Sequence, residues 1–181
     1  MAKLSFISDN DIGSSEIAER IRARRGGKLL QIDRIMLHSP VYAGGWNTFL
    51  GAINKDLVIG PKLREMIMCA VGAMNGANYE VTAHGPRYIS AGGSQEQLKA
   101  LGNVKEAARN AALFSEQERA ALALAVEMTC EVKVNDATLA RARIAMIEER
   151  QIVELIGLVA AYNMVSRFVV ACGIDAADGQ L

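Results

Sequence analysis

The chain has 181 residues, with 20 basic and 20 acidic side chains, 51% apolar residues and 5% aromatics. That length suits one domain, or one compact domain with an arm, and leaves ample chain for a packed core. Zero formal charge and a pI near 6.7 argue against nucleic acid as the main partner, because phosphate binding needs surplus Lys and Arg. An apolar half excludes a disordered chain.

The cysteines Cys69, Cys130 and Cys172 stand far apart and make no CxxC pair. No disulfide framework can be drawn from them, which points to a reducing compartment. The segment MAKLSFISDNDIGSSEIAERIR has no apolar stretch of the secretory kind. The one apolar stretch of membrane-spanning length, Ile152 to Cys172, carries Glu154, Asn163, Ser166 and Arg167, all costly in lipid. A soluble, cytoplasmic protein without a membrane partner is the expectation.

Three prolines against 28 alanines predict helices throughout. Ser14 to Gly27 reads as a short basic helix closed by Gly26-Gly27, its arginines a solvated face. Leu29 to Leu37 predicts another helix, and Tyr42 to Ile53 a third, with Trp46, Phe49 and Leu50 as an apolar core stripe. From Leu63 the chain runs LREMIMCAVGAMNGANYEVTAHGPRYISAGG. Leu63, Ile67, Ala70, Val71 and Met74 form one stripe, and the remaining surface is apolar too, so this helix is buried. Glu65 enters it in the first turn and should be at least partly desolvated. Asn75-Gly76 should break the helix and start a second near Ala77. There Glu80 and His84, four apart, share a face, and Gly85-Pro86 should bend or restart the helix.

Short helices follow over Ser94 to Leu101 and Asn103 to Leu113, then a capping box, SEQE at 115–118, opening a helix to about Met128. CEVKV at 130–134 is a weak strand candidate. Asn135-Asp136 starts the next helix. The last long helix covers Glu148 to Cys172, and DAADGQL reads as a frayed tail. Within it VELIGLVAAYN, 153–163, echoes REMIMCAVGAMN, 64–75, with Glu154 opposite Glu65.

Glu65, Glu80 and His84 are the polar residues of the buried region. A carboxylate and an imidazole in apolar surroundings are the parts of a general acid/base site, since desolvation raises a carboxyl pKa and His titrates near neutrality. Spacing alone equally allows a plain Glu80–His84 hydrogen bond with Glu65 exposed. It also allows ligation of iron or manganese by the trio, although no second His is nearby.

NGANYEVTAH at 75–84, preceded by Glu65, resembles the signature of the carboxymuconolactone decarboxylase and alkylhydroperoxidase D-like superfamily. In its peroxidase branch a Glu is followed twelve residues on by the first Cys of an NGCxxC stretch, and a His stands four after the second Cys. Ala77 and Glu80 occupy those Cys positions here, Glu65 the Glu position and His84 the His position, while Tyr79 falls where a relay His often stands. Within the superfamily, the YE-x3-H form is similar over nearly the whole chain, through LHSPVYAGGW at 37–46 and the VEL…YN helix at 153–163. The resemblance implies an all-α, compact multi-helix bundle, with an N-terminal helical arm over 1–55 and the core over 56–181. It also implies a homo-oligomer: dimer, trimer or hexamer.

Peroxidase chemistry needs an attacking thiolate and a resolving thiol. Ala77 and Glu80 supply neither, and Cys69 on a buried helix reads as inert packing. The decarboxylase branch uses no Cys, metal or organic cofactor. The resemblance therefore implies a cofactor-free, lyase-like acid/base enzyme on a small carboxylated or lactone substrate, with Glu65, Glu80, His84 and Tyr79 catalytic. His84 would be the proton donor. Arg87 and Trp46 would bind substrate, with Arg64 and Arg167 as lesser candidates for a carboxylate. An alkylhydroperoxidase-like antioxidant protein with a non-standard site, and a non-catalytic small-molecule-binding oligomer, are the alternatives.

Overall fold

The computed structural model describes residues 2–175. The tail reading of DAADGQL, apart from Asp175, lies outside them. Among the described residues every regular element is helical, and the chain divides into two compact units. One holds the residues up to Leu57 with the described stretch from Val169 onward; the other is Val58–Phe168.

In the first unit, α1 (Asp9–Ile12), α2 (Glu16–Arg24), α3 (Gln31–Met36) and α4 (Pro40–Lys55) follow in order. Ser15 caps α2, and Pro40 opens α4 at a position where its missing N–H costs nothing. Ala43, Trp46, Leu50 and Ile53 are buried at 3-4-3 spacing, the inward stripe of α4. Phe49, expected in that stripe, is 47% exposed, because it lies one position off the buried face. Asp33 is fully buried, accepts from the Leu30 amide at 2.8 Å and forms an ion pair with the Arg25 guanidinium at 2.7 Å. Part of the arginine run of α2 is therefore committed to ion pairs rather than solvent: Arg22 also pairs with Glu19 and Asp9.

The second unit is built on the hairpin of α5 (Pro61–Met74) and α6 (Asn78–Ser90). Every residue from Glu65 to Gly72 is buried, as an all-round apolar helix requires. Gly76 turns the chain at φ +67°, a conformation other L-residues rarely adopt. At Gly72 a Cβ would stand 2.9 Å from the Glu80 Cβ, so α5 and α6 approach this closely only over a glycine. Pro86 lies inside α6 without ending it, so the helix does not restart there. Having no N–H, it leaves one rung of the helical ladder unmade, at the Thr82 carbonyl.

Around the hairpin stand α7 (Gln95–Ala100), α8 (Val104–Ala107), α9 (Glu116–Cys130), α10 (Asp136–Met146) and α11 (Glu149–Cys172). A 3-10 turn, Leu101–Asn103, joins α7 to α8. The capping box at Ser115 and Glu118 forms in both directions. The expected helix over 103–113 stops at Ala107. Asn110 Oδ1 accepts from the Ala112 and Leu113 amides and folds that stretch into a turn instead. No strand forms at 130–134: Val132 takes φ +66°, and Glu127 accepts from the Asn135 amide and the Thr138 hydroxyl.

The inward face of α11 is apolar, with Leu155, Leu158, Val159, Ala161, Tyr162 and Val165 buried. Asn163 on α11 joins three helices: its Oδ1 accepts from Asn75 at 3.1 Å, and its Nδ2 donates to Thr129 at 2.9 Å. By length and composition α11 is apolar enough to cross a bilayer, but over half of it is buried in the protein, as in a core helix.

Candidate functional site: a buried histidine between two carboxylates

The hairpin brings Glu65, Glu80 and His84 together. Glu65 lies in the second turn of α5, while Glu80 and His84 lie one turn apart on the face of α6 that packs against it. Glu65 and His84 are 6% and 5% exposed, and Glu80 is 3% exposed. His84 Nδ1 stands 2.7 Å from Glu65 Oε2, and its Nε2 lies 3.4 Å from Glu80 Oε2. This geometry differs from a plain Glu80–His84 hydrogen bond with Glu65 exposed. The strong partner of His84 is Glu65 across the hairpin, not Glu80 along the helix, and Glu65 is buried.

A fourth side chain completes the cluster. The Tyr162 hydroxyl, brought in by α11, is 3.1 Å from His84 Nε2. The two rings meet edge to face, with centroids 5.1 Å apart at 82°. Tyr162 was not among the residues singled out for chemistry, although it lies in the YN pair of the VELIGLVAAYN segment. A contact across 78 positions carries no spacing signal.

Burial alone would pull the His84 pKa down. Hydrogen bonds to Glu65 and Glu80, then the charges of both, outweigh it and place the imidazole above its ordinary value of 6.5. Burial pushes the Cys69 thiol up to about 12, with further contributions from the Glu65 and Glu80 charges. Cys69 thus faces the cluster as a neutral thiol, not as a thiolate nucleophile.

The other candidates are more scattered. Tyr79 is buried at the start of α6, next to Glu80 in the chain. Arg87 is exposed on α6 and makes no ion pair with a described residue. Arg64 reaches 4.0 Å from Glu65 Oε1, whereas Arg167 donates to Asn163. Trp46 belongs to the first unit, where it packs against Tyr42. Among the described residues, no group of three or more His, Cys, Asp or Glu side chains is placed to hold a metal ion. A groove of about 420 Å³ lies elsewhere in the second unit, lined by Lys62, Leu63, Ala91, Glu118, Met146 and Gln151 among others.

The fold is that of the alkylhydroperoxidase D-like helical proteins. A peroxidase-related protein from Ralstonia eutropha JMP134 with an alkylhydroperoxidase AhpD core superposes with a TM-score of 0.80 at 19% identity, over 96% of this chain and 90% of that one. The debrominase Bmp8, as a cysteine-to-alanine variant with 2,3,4-tribromopyrrole, gives 0.78 at 17% identity, over 98% and 95%. A peroxidase-related protein from Silicibacter sp. gives 0.74 at 19%, over 96% and 93%. No protein of curated function matches the chain in sequence. Residues 40–115 match the carboxymuconolactone decarboxylase family. Through that segment the chain is similar to the carboxymuconolactone decarboxylase family, and its fold is that of the alkylhydroperoxidase D-like proteins.

Proposed function

We propose that the chain is a cofactor-free general acid/base enzyme, lyase-like, acting on a small carboxylated or lactone substrate. One observation carries this reading: a buried imidazole with Nδ1 fixed on a carboxylate at 2.7 Å and Nε2 turned to the other proton-exchanging groups. Glu65 orients the ring and supports its charge, which leaves Nε2–H as the proton to be given. In a decarboxylation the C–C bond to the carboxylate breaks and CO2 leaves. The electron pair passes into the conjugated system, and the carbon that receives it takes the His84 proton, which water later restores. Glu80 shares that proton, Tyr79 stands beside it in the chain, and Arg87 binds substrate. The neutral Cys69 and the absence of thiols at positions 77 and 80 favour this chemistry over a thiol peroxidase.

The same proposal places the protein in the cytoplasm, in keeping with its three free cysteines, and as a homo-oligomer. Self-association is supported by Val153, Ile156 and Met164, which α11 leaves 64%, 36% and 37% exposed on one face. A monomer mass by light scattering at micromolar concentration would overturn that part.

A second reading, a non-catalytic polar lock inside the bundle, is favoured by side-chain exposures of only 7%, 8% and 4% at His84, Glu65 and Glu80. Carboxymuconolactone turnover followed by ultraviolet absorbance separates the two. We expect turnover by the wild type, its loss in His84→Ala, and a fall of roughly 100-fold or more in Glu65→Gln. A folded wild type that leaves the lactone untouched removes that substrate, and unchanged rates in His84→Ala would remove the site.

A further inference from the structure

We propose that Tyr162 is a positioning residue that holds neutral His84 in a single tautomer, with Glu80 holding the charged form at the same nitrogen. The argument rests on what each neighbour of Nε2 can do. Glu80 Oε2, at 3.4 Å, can only accept when ionised, so it serves an Nε2–H and repels a bare lone pair. The Tyr162 hydroxyl, at 3.1 Å, can donate, and the neutral ring with its proton on Nδ1 offers Nε2 as the acceptor. Nδ1–H is then given to Glu65 at 2.7 Å in both charge states. The Tyr162 donation makes the neutral ring tolerable beside a carboxylate; without it, the lone pair faces Glu80 alone.

Around the ring, from α5 come Glu65, Arg64 beside it, and the neutral Cys69 thiol; from α6 comes Glu80; from α11 comes Tyr162. Of these, Tyr162 is the one that both reaches Nε2 and can donate to it. It lies outside residues 40–115, the segment that matches the family. The site therefore draws one of its proton partners from a helix outside that matched segment. The inference rests on the acid/base reading only for its consequence in turnover, since the titration below uses the ligand-free protein. A failed lactone assay leaves it standing.

The test is NMR titration of the full chain labelled with 15N-histidine, with His84 resolved from His38, the other histidine. Neutral His84 is expected to carry its proton on Nδ1. Tyr162→Phe is expected to raise the His84 pKa by about one pH unit, the equivalent of one net hydrogen bond. Glu80→Gln is expected to lower it, so the two changes at one nitrogen move the titration in opposite directions. A neutral ring protonated on Nε2 would overturn the proposal. So would a downward or absent shift in Tyr162→Phe, or a ring that stays charged until the protein unfolds in alkali. Should Tyr162→Phe fail to fold, the wild-type tautomer decides the question.

Discussion

Two helices of the second unit carry the same short pattern and use it differently. In α5 the pattern begins at Glu65, whose carboxylate faces inward and finds an imidazole. In α11 it begins at Glu154, whose Oε2 accepts from the backbone amides of Val58 and Ile59 at 2.6 and 3.2 Å, while Oε1 takes Arg150. One carboxylate fixes a buried imidazole; the other ties down the loop that leads into α5. Their Asn ends, by contrast, meet each other directly, Asn75 on Asn163. The same residue type at the same place in a helix becomes a site or a clasp according to which donors the tertiary packing brings to it.

The largest effect should come from separating those roles at Glu65. Glu65→Ala leaves His84 buried without its main partner and should cost roughly 3–5 kcal/mol of unfolding free energy, read from urea denaturation. Glu154→Ala loses two backbone caps near the surface and should cost about 1–2 kcal/mol. Equal costs would erase the distinction.

Gly72→Ala lies between them, at about 1–3 kcal/mol, because α6 must move away from a Cβ that would stand 2.9 Å from that of Glu80. A smaller signal lies in pH. The folded pKa of His84 is raised, so its contribution is full below the unfolded value near 6.5 and is lost as pH rises through the folded one. Stability should therefore fall above about pH 6.5. His84→Gln should abolish that slope, and Glu154→Gln should leave it in place. The smallest effect is chemical: at pH 8 a thiol reagent should label exposed Cys130 in the native protein and spare Cys69, as mass spectrometry would show. Labelling of Cys69 would reopen peroxide chemistry at the cluster.

The hairpin was legible because its signals are local. An all-apolar helix, an Asn-Gly turn and a Glu and His four apart sit within about twenty residues, and they predict both the burial and the shared face. Tyr162 was not legible as a partner of His84, nor was the clasp at Glu154, since each depends on a distant segment folding back. The helix expected over 103–113 failed for a local reason that propensity undervalues: Asn110 offers its side chain to two following amides and ends the regular backbone. Phe49 shows the limit of stripe counting, where a single position around the helix separates core from surface.

Pro86 gives the cluster a kinetic property as well. The turn that carries His84 lacks the amide that would close on the Thr82 carbonyl. Local opening is cheapest where the ladder is already short of a rung. In hydrogen exchange, the amides around His84 should therefore turn over faster than those of Met66 to Val71 on the facing helix. Each such opening would bring water closer to an imidazole that is only 5% exposed in the closed fold.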